Sequence, residues 1–160
     1  MKELEQISHN TNYSAANLGV LDDLIDYSLI HPVSKRVIDG KVFLKDAIQS
    51  TGSEISFNAL APHSEIPYFH SHKKNEEVYI ILKGFGSFQV DDDCFPIKEG
   101  SVIRVSAKGK RGLCNSSDEG MIYIVMQTKE NSLDEYSTAD GELAQVDPKW
   151  RCATPPIQVG

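Results

Sequence analysis

The sequence predicts an all-β protein, a sandwich or barrel of short strands. Three observations carry this. Short runs rich in β-branched and aromatic residues recur at Val42–Leu44, Ile55–Leu60, Val78–Leu82, Phe85–Val90, Val102–Val105 and Met121–Gln127. Turn formers separate them: Ser50-Thr51-Gly52, Ala61-Pro62, Lys83-Gly84, Asp91-Asp92-Asp93, Glu99-Gly100, Lys108-Gly109 and Asn115 to Gly120. Short strands punctuated at such spacing are the signature of sandwiches and barrels. No internal repeat of the length used by solenoids or propellers is visible.

The chain divides into an N-terminal arm (1–40), a barrel (41–128) and a C-terminal tail (129–160). The first 17 residues are polar and unpatterned, with the cap and turn formers Ser8-His9-Asn10-Thr11-Asn12, and read as a loosely ordered arm. Leu18, Leu21, Leu24 and Ile25 have near-helical spacing around Asp22, Asp23 and Asp26, which allows one short helix or an irregular arm. His31-Pro32 would end any such helix. The barrel begins where the β-branched runs begin. After Gln127 the chain turns polar, with Asp147-Pro148 and Pro155-Pro156 marking an arm or packed tail. Trp150 stands out there, because a lone Trp in a polar tail usually docks on something.

Composition bounds the function. At 160 residues the chain can bury roughly 70% of its unfolded surface, enough for a core without covalent staples. Sixteen basic against 23 acidic residues give a net charge of -7, which argues against nucleic-acid and anionic-membrane partners. The aromatics do not interleave with a basic stripe. The longest apolar run, Met121–Met126, is far short of the about 20 residues a membrane span needs. The start lacks an apolar signal region. Cys94, Cys114 and Cys152 are too few and scattered for a disulfide framework, so a reduced, cytoplasmic setting is the expectation. There is no Gly-x-Gly-x-x-Gly, Walker loop or Gly-x-Ser-x-Gly.

The chemistry concentrates between Pro67 and Gly84. Residues two apart in a strand share a face, so His70 and His72 project together. Two converging imidazoles can bind a metal, and Glu77, opening the next strand, can close a two-His, one-carboxylate set of the kind used by non-haem iron. Tyr79 and Ile81 share the face of Glu77 by alternation and point inward, while Glu76 points the other way into solvent. Gln127, ending the last strand, is a further pocket residue. His63, after Pro62, reads as solvated, and His9 and His31 as surface residues. Cys114 reads as a small buried hydrophobe. Lys108, Lys110 and Arg111 form a small basic run of the kind that ordinarily lies in a solvated turn.

The spacing of His70-x-His72, Glu77 and Gly84 resembles the first cupin motif, with Ser64 at the position of its leading glycine. A second, weaker motif follows. Gly100 matches its leading glycine and Asn115 its closing asparagine, whereas Ser106-Ala107-Lys108 replaces its Pro-x-Gly turn and Arg111 its histidine. The resemblance covers residues 54 to 128 and implies a small antiparallel jelly-roll barrel. It also implies a metal on His70, His72 and Glu77, with iron, manganese, nickel and zinc as the candidates, or a metal-free pocket. The family includes dioxygenases, decarboxylases, sugar isomerases and epimerases, and binding proteins without enzymatic activity.

Arg111 is the informative departure, because a guanidinium offers no lone pair. At about 5 Å from a divalent ion, with an effective dielectric of about 20, the repulsion is about 6 to 7 kcal/mol before screening. Arg111 must therefore point away, bind an anionic ligand, or pair with Glu77. Two functions follow. One is a metal-dependent enzyme in which Arg111, Tyr79 and Gln127 contact a small anionic substrate. The other is a metal-free binding or sensor domain in which the same residues hold an anionic ligand. Small cupins often pair through exchanged terminal strands, and the long arm here is compatible with a homodimer.

Overall fold

The computed structural model describes residues 2–31, 35–136 and 140–149. Trp150, Cys152 and the Pro155-Pro156 pair lie outside the described residues. Twelve strands are present among the described residues: β1 Glu5–Asn10, β2 Tyr13–Asn17, β3 Ser28–Ile30, β4 Val37–Asp39, β5 Lys41–Phe43, β6 Glu54–Leu60, β7 Asn75–Lys83, β8 Phe85–Val90, β9 Asp93–Lys98, β10 Val102–Val105, β11 Arg111–Asn115 and β12 Met121–Lys129. A 3-10 helix covers Leu21–Asp26, and a single α-helical turn, α1, covers Lys45–Ile48. The fold is all-β, as the spacing of the apolar runs predicts.

Two antiparallel sheets face each other. The larger has the order β10-β7-β12-β6-β5, the smaller β11-β8-β9. Isolated bridges Glu65–Cys114 and His70–Arg111 extend the smaller sheet along the segment that carries the histidines. Alternation along β7 buries Glu77, Tyr79 and Ile81 toward the opposite sheet. Their inward neighbours Phe88, Ile97, Leu113, Tyr123 and Val125 come from both sheets and complete the core. Gly84, the last residue of the first motif, adopts φ +89° at the β7–β8 connection, a conformation open to glycine at little cost. A side chain there would also meet the Met121 backbone at 3.0 Å.

The large sheet is apolar on its outer face too. Val42, Phe57, Ala59 and Leu82 there are covered by Leu24, from the 3-10 helix, and Tyr27, which bury with Ile122. The tyrosine's hydroxyl donates to the carbonyl oxygens of Glu3 and Leu18, tying the arm down.

Three local expectations need correction. Within the stretch expected to be loosely ordered, residues 5–17 are regular, because β1 and β2 pair as an antiparallel hairpin. Asn10 accepts from the Asn12 amide at the turn, so its polar residues serve the hairpin end. Residues 93–98 and 111–115 are strands despite their composition. Pro96 is tolerated because β9 is the edge of its sheet, and β11 gains its pairing from β8. Finally, the basic run at 108–111 is not wholly solvated, since Arg111 leaves it as the first residue of β11 and is buried.

Candidate functional site

The site is built where the segment before β7 crosses the smaller sheet. Arg111 and His70 bridge through their backbones, with N–H to O distances of 3.3 and 3.0 Å. The His72 amide donates to the Ala107 carbonyl at 2.8 Å. These bonds hold the segment, although it is not a regular strand. The two imidazoles still come together, edge to face, with ring centroids 5.3 Å apart. Glu77 enters from β7 on the facing sheet. One ligand atom from each of His70, His72 and Glu77 lies within 4.8 Å of the others.

The two oxygens of Glu77 have different neighbours. Oε1 lies 3.0 Å from His72 Nε2. Oε2 accepts from the Tyr79 hydroxyl at 2.6 Å and from Arg111 Nε at 2.9 Å. Of the three outcomes that the sequence left open for Arg111, pairing with Glu77 is the one present. Its Nη1 donates to the carbonyl oxygens of Gly109, at 2.8 Å, and His70, at 3.3 Å. With 1% of its surface exposed, the guanidinium lies behind the carboxylate. Gln127 Nε2 stands 3.5 Å from His72 Nδ1, at the limit of a hydrogen bond.

The electrostatics follow from these contacts. Burial pushes the Glu77 carboxyl up, but the Tyr79 bond, the Arg111 charge and His72 outweigh it and hold the group below the usual carboxylate range. Burial also lowers His70, and Arg111 and His72 add to that against the pull of Glu77. The ring is thereby kept in the neutral form that can donate a lone pair. Burial first, then the neighbouring Glu77 charge, drives the Tyr79 phenol far up, so it remains a hydrogen-bond donor. Two buried polar atoms have no partner among the described residues, His70 Nδ1 and Arg111 Nη2.

This donor set fits a divalent ion. Two imidazoles and one carboxylate suit iron, manganese, nickel or zinc. Oε2 is held from behind by Tyr79 and Arg111, as outer-shell groups hold a ligating carboxylate. Oε1 faces His72, His70 Nε2 lies 3.8 Å from Oε2, and His70 Nδ1 has no partner among the described residues.

The sequence located His70, His72, Glu77, Tyr79 and Arg111, all brought together here. It missed Lys41. Its strand, Lys41–Phe43, is only three residues long, so the sequence carried no alternation that could have placed it. Glu76 faces out as expected, and His63 pairs with Asp118 at 2.8 Å on the surface.

A two-sheet β-barrel with a two-His, one-Glu cluster between the sheets defines a class, and comparison with known proteins agrees. Residues 57–127 match the family described as "Cupin domain". A cupin protein from Bacteroides fragilis is 35% identical, aligned over 66% of this chain and 89% of its own, with a TM-score of 0.63. The chain belongs to the cupin family. Two more distant structures share the fold alone. One is a Thermotoga maritima protein titled "a predicted oxalate decarboxylase", 21% identical over 64% of this chain and 90% of its own, with a TM-score of 0.53. The other is a sugar phosphate isomerase from Silicibacter pomeroyi, 17% identical over 68% of this chain and 64% of its own, with a TM-score of 0.51. No curated protein matches. No helix among the described residues is long and apolar enough to cross a membrane.

Proposed function

We propose that the protein is a metal-dependent cupin enzyme acting on a small anionic molecule, with one divalent ion on His70, His72 and Glu77. The observation that carries this reading is the convergence on Glu77: Tyr79 and Arg111 fix Oε2, while His72 Nε2 lies 3.0 Å from Oε1 and His70 Nε2 lies 3.8 Å from Oε2. A bound ion would supply Lewis acidity and open positions for substrate or water. The chain's own residues do the rest. Arg111 and Tyr79 fix the carboxylate against rotation. Arg111 also offsets the carboxylate's charge, leaving the site net positive once an ion is bound and hence attractive to an anion. With an ion on His72 Nε2, Gln127 would orient the ring by accepting from His72 Nδ1–H through its amide oxygen, its nitrogen now standing 3.5 Å from Nδ1. Tyr79, held protonated, donates to Glu77 and not to a reacting group. Named activities of the more distant structures, decarboxylation and sugar phosphate isomerisation, set the first assays.

One observation favours a second reading. In the described contacts both Glu77 oxygens already have partners, His72 on one side and Arg111 and Tyr79 on the other. A metal-free pocket that binds an anion would use the same arrangement. Elemental analysis of protein purified without chelator separates the two. About one metal per chain, lost in the His70→Ala/His72→Ala variant, is expected for the enzyme. No metal, even after reconstitution with iron, manganese, nickel and zinc, would leave the binding domain. Pairing of two chains belongs to either reading. The arm leaves Ile7 and Tyr13 of the β1–β2 hairpin exposed, and light scattering on the full chain would detect a dimer.

A further inference from the structure

Arg111, the cation that the sequence singles out for an anionic ligand, is already committed. Its Nε serves Glu77, its Nη1 serves two carbonyl oxygens, and it is buried. A different cation stands inside the barrel. Lys41 on β5 lies in register with Asn58 on β6, and Asn58 is 3% exposed on the inward face. Lys41 therefore projects inward from the edge of the large sheet. Its ammonium lies 4.8 Å from the Phe43 ring centroid, a cation–π contact. Among the described residues no acid lies within ion-pair distance of it, although Glu77 and Glu54 act on it from farther away. A half-buried ammonium with no paired acid is costly, and a ligand anion would offset that cost.

A cavity of about 210 Å³ opens beside this lysine, lined by Lys41, Asn58, Tyr68 and Tyr123 among others. It adjoins the His70, His72 and Glu77 cluster through its two tyrosines. The Tyr68 ring meets the His70 ring edge-on at 5.8 Å, and Tyr123 stacks at 6.4 Å on Tyr79, whose hydroxyl holds Glu77. The volume is below the about 300 Å³ at which drug-sized pockets begin, so the ligand is small. Its charge is limited as well. Glu77 and Glu54 already act on the lysine from a distance, and exposed Glu65 and Asp39 line the cavity itself. A phosphate, with nearly two negative charges, meets more repulsion there than a carboxylate with one.

We propose that this cavity receives a small monocarboxylate, its charge paired with the Lys41 ammonium and its apolar body against Tyr68 and Tyr123. This rests on the reading that the site takes a small anionic molecule, and it names which anion and which cation. Burial lowers the Lys41 amine from its ordinary value, and a bound carboxylate would raise it again.

The test is calorimetric titration of the full chain with benzoate, acetate and inorganic phosphate, using both chelator-treated and zinc-loaded protein. Wild type, Lys41→Met and Lys41→Arg are compared, with zinc stoichiometry measured on each. Benzoate should bind wild type and weaken about tenfold to a hundredfold in Lys41→Met, the range for losing a hydrogen bond to a charged group. Lys41→Arg should retain binding, and zinc stoichiometry should not change. Undiminished benzoate binding in Lys41→Met would overturn the proposal. So would tighter Lys41-dependent binding of phosphate, or wild type that binds neither carboxylate. If benzoate binding depends on Lys41 but neither zinc nor, on reconstitution, iron, manganese or nickel binds, the lysine subsite stands and the metal reading fails. Should Lys41→Met not fold, the NMR signal of reductively methylated Lys41 in otherwise native protein decides. It must move on benzoate addition, and a stationary signal would overturn the proposal.

Discussion

Two neighbouring glutamates on β7 each meet an arginine, on opposite faces of one sheet. Glu76 points out and pairs with Arg104 of β10, whose guanidinium also reaches Glu130 at 3.0 Å. Glu77 points in and pairs with Arg111 of β11, from the other sheet. The chemistry is the same, but the Arg104 side chain is 54% exposed and that of Arg111 is 1% exposed. Water screens the outer pair and can replace either partner. The inner pair has no such substitute, so each charge depends on the other and on Tyr79, Gly109 and His70. The outer pair decorates the sheet. The inner pair fixes the position and charge of the one carboxylate in the site.

That contrast predicts an ordered set of effects. Arg111→Ala leaves the Glu77 carboxylate buried without its cation and should cost about 3 to 5 kcal/mol in urea unfolding. Replacing both charges, as Glu77→Leu/Arg111→Met, should recover most of that loss while abolishing zinc binding. If the double variant is no more stable than Arg111→Ala, the inner pair is not the coupled unit described. Tyr79→Phe removes a hydrogen bond to a charged oxygen at 2.6 Å. The expected loss is about 1.5 to 3 kcal/mol, and an unchanged denaturation midpoint would mean the bond adds nothing.

The acid response comes next. In metal-free protein the folded Glu77 carboxyl lies below its unfolded value. Its contribution is therefore complete above the ordinary carboxylate range and is lost as pH falls through the lowered folded value. Thermal melts from about pH 7 down to about pH 3, across the ordinary carboxylate range, should fall more steeply for wild type than for Glu77→Gln. Parallel curves would place the acid sensitivity elsewhere. Arg104→Ala should change stability least of all. A loss as large as that of Arg111→Ala would erase the distinction between the faces.

Much of this was legible in the sequence, for a physical reason. Strands such as Ile55–Leu60 and Met121–Gln127 carry β-branched and aromatic residues at a density that local propensity can register. The two-residue period then placed Glu77, Tyr79 and Ile81 inside. The strands that escaped, β9 and β11, contain Pro96 in one and Gly112 in the other, which lower propensity. Their pairing with β8 holds them, β9 through a tight hairpin and β11 through contacts distant in sequence. Gly112 is useful there because the Phe69 ring packs where a side chain would stand, 3.2 Å from the position of its Cβ. Arg111 was legible as a departure from the motif, but its direction was not. Whether it faces a ligand or Glu77 depends on the spacing between the sheets, which no local pattern encodes. Lys41 was hidden in a strand three residues long, too short for alternation to show.

The claim on which the rest depends is that His70, His72 and Glu77 hold one divalent ion. The most direct measurement is a zinc titration of chelator-stripped protein by calorimetry, paired with thermal melts at each zinc concentration. Wild type should bind about one zinc per chain, as a mononuclear site requires. Its melting temperature should climb with free zinc as binding to the native state demands, and the His70→Ala/His72→Ala variant should show neither effect. Wild type that takes up no zinc and melts unchanged, or a double variant that binds as well as wild type, would contradict the account.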